Sequence, residues 1–169
     1  MAPKKGKRII YLVQAINATI GSDALVPGYQ TEGTWGREKE IASEQTKSGR
    51  VVAGGGKEES IELSLFAAEG DPGQDAIDEA FDEDLDIKIW RVDLDLNANG
   101  KHNARFGYGV IESLEMTEPT DGFVEMNTTI QIQDVMKKGE IEPLPPEVIE
   151  AAKYDFETPG QTGEPAPTV

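Results

Sequence analysis

Glu58-Glu-Ser-Ile-Glu-Leu-Ser-Leu65 is the stretch that decides the fold class. Ile61, Leu63 and Leu65 alternate with Ser60, Glu62 and Ser64, and a period of two is that of a strand whose successive side chains point to opposite faces. Val124-Glu-Met-Asn-Thr-Thr-Ile-Gln-Ile-Gln133 repeats the pattern. It sets Val124, Met126, Ile130 and Ile132 against Glu125, Asn127, Thr129, Gln131 and Gln133. Each strand has one apolar and one wet face, with Glu58 continuing the wet side of the first.

Working outward, Ile87 to Leu96 and Ala104 to Met116 flank the turn-rich Asn97-Ala-Asn-Gly100 and read as a hairpin. In the first arm Ile87 and Ile89 fall on one face, while Trp90, Val92, Leu94 and Leu96 fall on the other. A strand covered on both sides at its start accounts for that. The one strong helix signal spans Asp71 to Asp84: Asp71 caps, Pro72 suits the first turn, and Gly73, Ala76, Ile77, Ala80 and Phe81 form an apolar stripe. Ile77 and Phe81 are expected to pack on the sheet.

Two segments look extended rather than packed. Gln45 to Lys57 reads as a glycine-rich loop between strands, and Pro143 to Val169 holds six of the ten prolines. At polyproline spacing such a tail reaches on the order of 80 Å, enough to touch a neighbouring subunit. The expected division is therefore a β domain over 1–142, with a loop at 45–57 and a helix at 71–84, followed by an extended arm over 143–169.

Composition narrows the function. The 169 residues suit one domain, which at this size buries roughly 70% of its unfolded surface. No cysteine is present, so disulfides, thiolate nucleophiles and cysteine-based metal sites are excluded. The basic start Met1 to Arg8 leads into only Ile9 to Val13, too short for a secretory signal core, and no apolar run approaches a membrane span. The expectation is a soluble protein made in the cytoplasm. The net charge of -16 argues against gripping nucleic acid. Acids crowd Glu69 to Asp86 without a base, whereas Lys4, Lys5, Lys7 and Arg8 cluster at the start. Opposite ends of a subunit thus carry opposite charge, although a solvated helix face and a frayed terminus explain the same runs.

The motifs that suggest chemistry fail. Gly54-Gly-Gly-Lys57 lacks the leading glycine of a phosphate loop, where Val51 stands, and the following Ser or Thr, where Glu58 stands. Asp95-Leu-Asn-Ala-Asn-Gly100 begins like a calcium loop, but its twelfth position is Phe106 and its flanks are strands. His102 stands beside that turn with no nucleophile pattern near it, and is expected to be a solvent-exposed turn residue. Asp82, Glu83 and Asp84 end the helix where the dipole disfavours them, so they mark either a binding surface or a solvated end. Trp35 and Trp90 are expected in the core or at a subunit contact. No catalytic residue, metal ligand or cofactor site is assigned, and no enzyme is expected.

Several blocks, collinear over nearly the whole chain, carry a family resemblance. They are Ala24 to Gly33, Glu38 to Arg50, Gly70 to Ile77, Ile89 to Asp93, Arg105 to Tyr108, Ile111 to Ser113 and Tyr154 to Thr162. In these the chain resembles the major tail tube proteins of long, non-contractile-tailed bacteriophages of Gram-positive hosts. It departs mainly in spacing around Asp95 to Asn103 and in its last residues.

The resemblance implies a β-sandwich or barrel with a flanking helix, a long loop and a C-terminal arm. It also implies six-membered rings whose inner sheets join into one barrel, stacked into a tube through which genomic DNA leaves the capsid. Loop and arm would tie subunits and rings together, making Lys47, Arg50, Val51, Val52, Tyr154 and Phe156 candidate contacts. Tape measure, tail terminator and distal tail proteins are the implied partners, with transient passage of double-stranded DNA and no membrane. The implied location is the virion, after assembly in the host cytoplasm.

A basic lumen would hold DNA, whereas acids within a Debye length of about 8 to 10 Å repel it from every side. The wet faces Glu58, Ser60, Glu62, Ser64 and Glu125, Asn127, Thr129, Gln131, Gln133 are candidates for that wall, and would equally serve as outer surface. The rival from another class is a monomeric β-sandwich binding module or an accessory baseplate or capsid protein. It requires a compact monomer with an exposed aromatic platform, and no aromatics cluster in sequence.

Overall fold

The computed structural model describes residues 1–145 and 159–160. A 3-10 turn (Gly6–Arg8) leads into β1 (Ile9–Ala15), β2 (Gln30–Thr46), β3 (Gly49–Phe66), α1 (Pro72–Asp82), β4 (Ile87–Leu96), β5 (His102–Thr117), β6 (Glu125–Ile132) and β7 (Lys137–Ile141). The strands form one seven-stranded antiparallel sheet in the order β1-β4-β5-β6-β3-β2, with β7 also on β5. The fold is thus mainly β with a single helix.

The sheet curls until its end strands meet without laddering. Gln30 at the start of β2 bridges them: its Oε1 accepts from the Tyr11 N–H at 3.0 Å and its Nε2 donates to the Tyr11 carbonyl at 2.8 Å. A Cβ on Gly33 would strike the Tyr11 ring, so closure requires a glycine there. Inside lies the main core, where Ile61, Leu63 and Leu65 of β3 and Met126, Ile130 and Ile132 of β6 meet Val13, Ile87, Ile89 and the helix residues Ile77 and Ala80. The period-two reading of both strands holds: Ile61↔Ile130 and Leu65↔Met126 are cross-strand pairs on the buried face.

The helix begins as its sequence demands. The Asp71 carboxylate accepts from the Gln74 N–H at 3.0 Å, and its second oxygen accepts from the Gly28 N–H at 2.9 Å. Gln74, missed as a core residue, is buried and donates to the carbonyls of Gly28 and Phe66 while accepting from the Ala68 N–H. Gly73 lets the helix meet Pro27, whose backbone nitrogen would lie 2.6 Å from any added Cβ. The helix ends at Asp82 rather than Asp84. Leu85 N–H bonds the Ala80 carbonyl, with Asp84 at φ 54 in the left-handed position that usually holds glycine. Phe81 does not pack on the sheet: it is 41% exposed, because the stripe that reaches the core is Gly73, Ala76, Ile77 and Ala80.

The two-faced reading of β4 is realised as far as Leu94, whereas Leu96, beyond a register shift, is exposed. Ile87 and Ile89 enter the main core, whereas Val92 joins Leu12 and Ala104 in a second cluster covered by Val26, Trp90, Ile141 and Leu144. Leu144 therefore belongs with the domain, and the boundary expected after residue 142 falls too early. The 97–101 turn is a hairpin turn: Asn97 Oδ1 accepts from Asn99 and Lys101 N–H groups, with Gly100 at φ 70. His102 is not exposed. It is fully buried, with Nδ1 on the Asp93 carbonyl and Nε2 accepting from the Leu144 N–H, each at 3.1 Å.

The loop expected at 45–57 is replaced by strand. β2 and β3 pair from Gln30 to Thr46, turning only at Lys47 and Ser48. Glycine read as a breaker because it weakens isolated strands, but here the ladder to β2 satisfies the backbone. The register slips between Lys39↔Lys57 and Ile41↔Gly54, a bulge that the glycines at 54–56 accommodate.

Candidate assembly surfaces

The first surface is the outer face of β2, β3 and β6. Register places Ser60 opposite Gln131, Glu62 opposite Thr129 and Ser64 opposite Asn127, so the wet residues of two separate strands form one contiguous patch. Ser64 Oγ donates to Asn127 Oδ1 at 2.6 Å, and Gln131 Nε2 donates to Glu112 at 3.1 Å. Glu125 is half-buried and lies at the end of this face beside Phe66. Gln133 falls past the strand and donates to Asp86 at 2.7 Å. Pairing adds residues that alternation did not single out: Glu32, Thr34 and Glu38 of β2 face Ser64, Glu62 and Glu58, and Glu115 of β5 faces Asn127. These rungs carry six acids (Glu32, Glu38, Glu58, Glu62, Glu115, Glu125) and no Lys or Arg.

The second surface is the outer part of the β2–β3 hairpin. From Lys39↔Lys57 to its tip it projects about 25 Å, and every residue from 40 to 56 is exposed. Lys47 lies in the turn, while Arg50, Val51 and Val52 pair with Gln45, Glu44 and Ser43. Val51 is 59% and Val52 51% exposed, on opposite faces. An isolated two-stranded ribbon is marginal in water, so this one presents apolar side chains and unpaired edges that suit a partner. Tyr154 and Phe156 lie outside the described residues.

The third surface surrounds Trp35. Its indole N–H donates to the buried Glu59 carboxylate at 3.0 Å, whose second oxygen accepts from the Met136 N–H at 2.7 Å. Around the ring stand three guanidinium groups: Arg37 at 4.0 Å, Arg105 at 4.9 Å and Arg91 at 5.0 Å from the centroid. A groove of about 510 Å³ opens beside Arg91, Tyr11 and Gly33, and another of about 480 Å³ beside Arg37, Arg105 and Lys57. Burial pushes the Tyr11 hydroxyl up, and the charge of Arg91 partly offsets this. Sequence gave one signal for the cluster: Glu59, Arg91 and Arg105 fall on the apolar side of their strands.

The basic terminus, by contrast, is largely consumed within the subunit. Lys4 pairs with Asp93 and with Asp95 at 3.2 Å, and Arg8 pairs with Asp95 at 2.8 Å. The hydrogen bond to Asp93 raises the Lys4 pKa, and those from Arg8 and then Lys4 lower that of Asp95. Nearby, Trp90, Phe106 and Tyr108 form a cross-strand aromatic row with centroids 4.9 and 5.4 Å apart. Trp90 is occupied by the second cluster, leaving chiefly Tyr108 exposed. Among the described residues no group of three or more acidic or histidine side chains is placed to hold a metal, and no helix is long and apolar enough to cross a membrane.

Comparison with known proteins places this geometry. Residues 3–137 match the model of the phage tail tube protein family. The chain is similar to the tail tube protein gp17.1* of Bacillus phage SPP1, with 42% identity over 167 residues covering 98% of this chain, and it spans 63% of that relative's length. The SPP1 tail tube structure, solved by solid-state NMR and cryo-electron microscopy, superposes with a TM-score of 0.84 at 38% identity, covering 97% of this chain and 96% of that one. The tail of an empty gene transfer agent particle, refined with C6 symmetry, shares the fold at a TM-score of 0.63 and 13% identity, over 80% of this chain and 98% of that one.

Proposed function

The chain belongs to the phage tail tube protein family, and from that premise we propose that six copies close into a ring and that rings stack into a conduit for double-stranded DNA. It is a structural protein of the virion tail; the ring order and the cargo are the proposal. The observation that carries it is the pairing of a wholly exposed hairpin with a continuous acidic face on the same two strands. The hairpin finds no cover among the described residues of its own subunit and is completed by neighbours, through main-chain pairing along open edges and through Ile41, Val51 and Val52.

The face bearing Glu58, Ser60, Glu62, Ser64, Glu125, Asn127, Thr129 and Gln131 then lines the lumen. Its acids repel phosphates weakly from all sides, and its amides and hydroxyls keep it wet without offering cations to bind. Gln133, turned toward Asp86, stands at the margin of this wall. A tape measure protein inside the tube, and terminator and distal tail proteins at its ends, complete the assembly.

The test is Glu62→Lys with Glu125→Lys. Two such changes in six copies shift a ring by about 24 charge units, which converts a repelling wall into one that holds DNA by counterion release. Tubes should still form, since Glu62 is exposed and Glu125 only half-buried at the end of the face, and substitutions at exposed positions change stability by about 0.5 kcal/mol or less. Particles carrying them should eject DNA slowly at low ionic strength and recover as salt rises. Ejection at the normal rate in low salt would place this face outside the tube.

A further inference from the structure

We propose that the three arginines around Trp35 form a carboxylate socket that receives the acidic end of α1 from a second copy of this chain, joining subunits head to tail. The inference rests on the tube reading and names a contact within it.

Inside one subunit the socket holds more positive than negative charge. Arg37, Arg91 and Arg105 all lie within 5.0 Å of the Trp35 centroid, so any two are within about 10 Å, a Debye length, and repel one another. Among the described residues none of the three forms an ion pair, and the Arg91 Nε is buried without an acceptor. Glu59, paired across the ladder with Arg37 and accepting from Trp35 and Met136, sets one carboxylate against three guanidinium groups. Lys39 and Lys57 at the mouth add to the positive charge, with Glu38 beside them. A buried donor with no partner, one groove at Trp35 and Arg91 and another at Arg37 and Arg105 describe a site awaiting a planar, doubly accepting anion. A carboxylate is that group.

The matching acids are equally unsatisfied at home. Asp71 is occupied by the helix cap and Asp86 by Gln133, but Asp78, Glu79, Asp82, Glu83 and Asp84 are exposed and make no ion pair among the described residues. Three of them crowd the helix C-terminus, where the dipole repels carboxylates. Asp84 also holds a left-handed backbone. The helix ends at Asp82 and β4 begins at Ile87, with Arg91 four residues further along that strand, about 13 Å from its start. Acids and arginines therefore sit apart in the subunit, and among the described residues none of these acids pairs with any of the three arginines.

A charge exchange tests the contact. Arg37→Glu with Arg105→Glu reverses the socket, and Asp82→Lys with Glu83→Lys reverses the helix end. Unaltered protein is first shown to form tubes by microscopy and sedimentation; failure there removes the tube reading itself and this contact with it. Each reversed protein alone should raise the critical concentration on the order of tenfold or more. An equal mixture should restore tubes, since alternation of the two puts Lys against Glu and acid against Arg at every contact.

Polymerisation of either variant like the unaltered protein overturns the inference and leaves the tube standing. Failure of the mixture overturns it too. If circular dichroism shows the reversed socket unfolded, Arg105→Gln replaces it, and an unchanged critical concentration is then decisive against the contact. Salt-dependent binding of a short DNA duplex to the unaltered monomer, lost on Arg105→Gln, would mean that the socket takes phosphate instead.

Discussion

Removing the hairpin separates folding from assembly. Lys39 and Lys57 face each other in the ladder, so a two-residue Asn-Gly turn can join them directly once Glu40 to Gly56, 17 residues, are deleted. The expected cost to the domain follows from burial. None of the deleted residues is buried and none belongs to either core cluster, so the hydrophobic loss is close to zero. Treating the segment as a flexible loop bounds the gain: shortening it from 17 residues to two lowers closure entropy by (3/2)RT ln(17/2), about 2 kcal/mol. The ordered hairpin lies between these limits. Unfolding should therefore stay cooperative, with a midpoint unchanged or raised by a few degrees, about 2–4 °C per kcal/mol at this size.

Assembly should respond oppositely, because Ile41, Val51 and Val52 and two long backbone edges vanish together. Thermal unfolding followed by circular dichroism and sedimentation of the concentrated protein read the two effects on one sample. A lost unfolding transition would show that the hairpin supports its own domain. Abundant tubes from a well-folded truncation would show that ring contacts lie elsewhere.

Two further outcomes are expected. Asp84→Gly relieves a left-handed residue and a carboxylate at a helix C-terminus, together about 1–2 kcal/mol, so the monomer should melt a few degrees higher while its critical concentration for polymerisation rises; a lower melting point would contradict the strain. A chain ending after Pro145 should keep the stability of the full protein, whereas one ending after Glu142 loses the Leu144 packing and the N–H that His102 accepts. The shorter chain should be about 1–3 kcal/mol less stable in urea, and equal midpoints would return the boundary to residue 142.

The parts of this fold legible in sequence were those fixed by local physics. Alternation at Ile61, Leu63 and Leu65 fixed a buried face, and Asp71-Pro72 fixed a helix start whose cap is made as expected. The errors share a cause, which is that tertiary partners are invisible along the chain. Gly54 to Gly56 signal a loop unless β2 runs beside them, His102 looks wet unless Leu144 returns to cover it, and Phe81 fits the stripe by spacing yet stays exposed. The Trp35 cluster gathers residues from four strands. Its trace was the presence of Glu59, Arg91 and Arg105 next in alternation to buried or close-packed positions, Ile61, Ile89 and Gly107.

A subunit that polymerises must also avoid polymerising wrongly, and this chain shows both constraints on the same strands. The outer edge of β2 is unpaired over its length among the described residues, an invitation to edge-to-edge association. Along it Glu32, Glu38, Glu40 and Glu44 outnumber Arg37 and Lys39, and each copy carries -16 in all. Random approach of two edges therefore meets like charge. An approach that buries Ile41, Val51 and Val52, and brings α1 acids to the Trp35 arginines, meets apolar contact and opposite charge instead. Specificity then comes from repulsion in most orientations and attraction in one. The orphan Arg91 Nε and the bare ribbon are the local costs within the monomer that the proposed orientation would relieve.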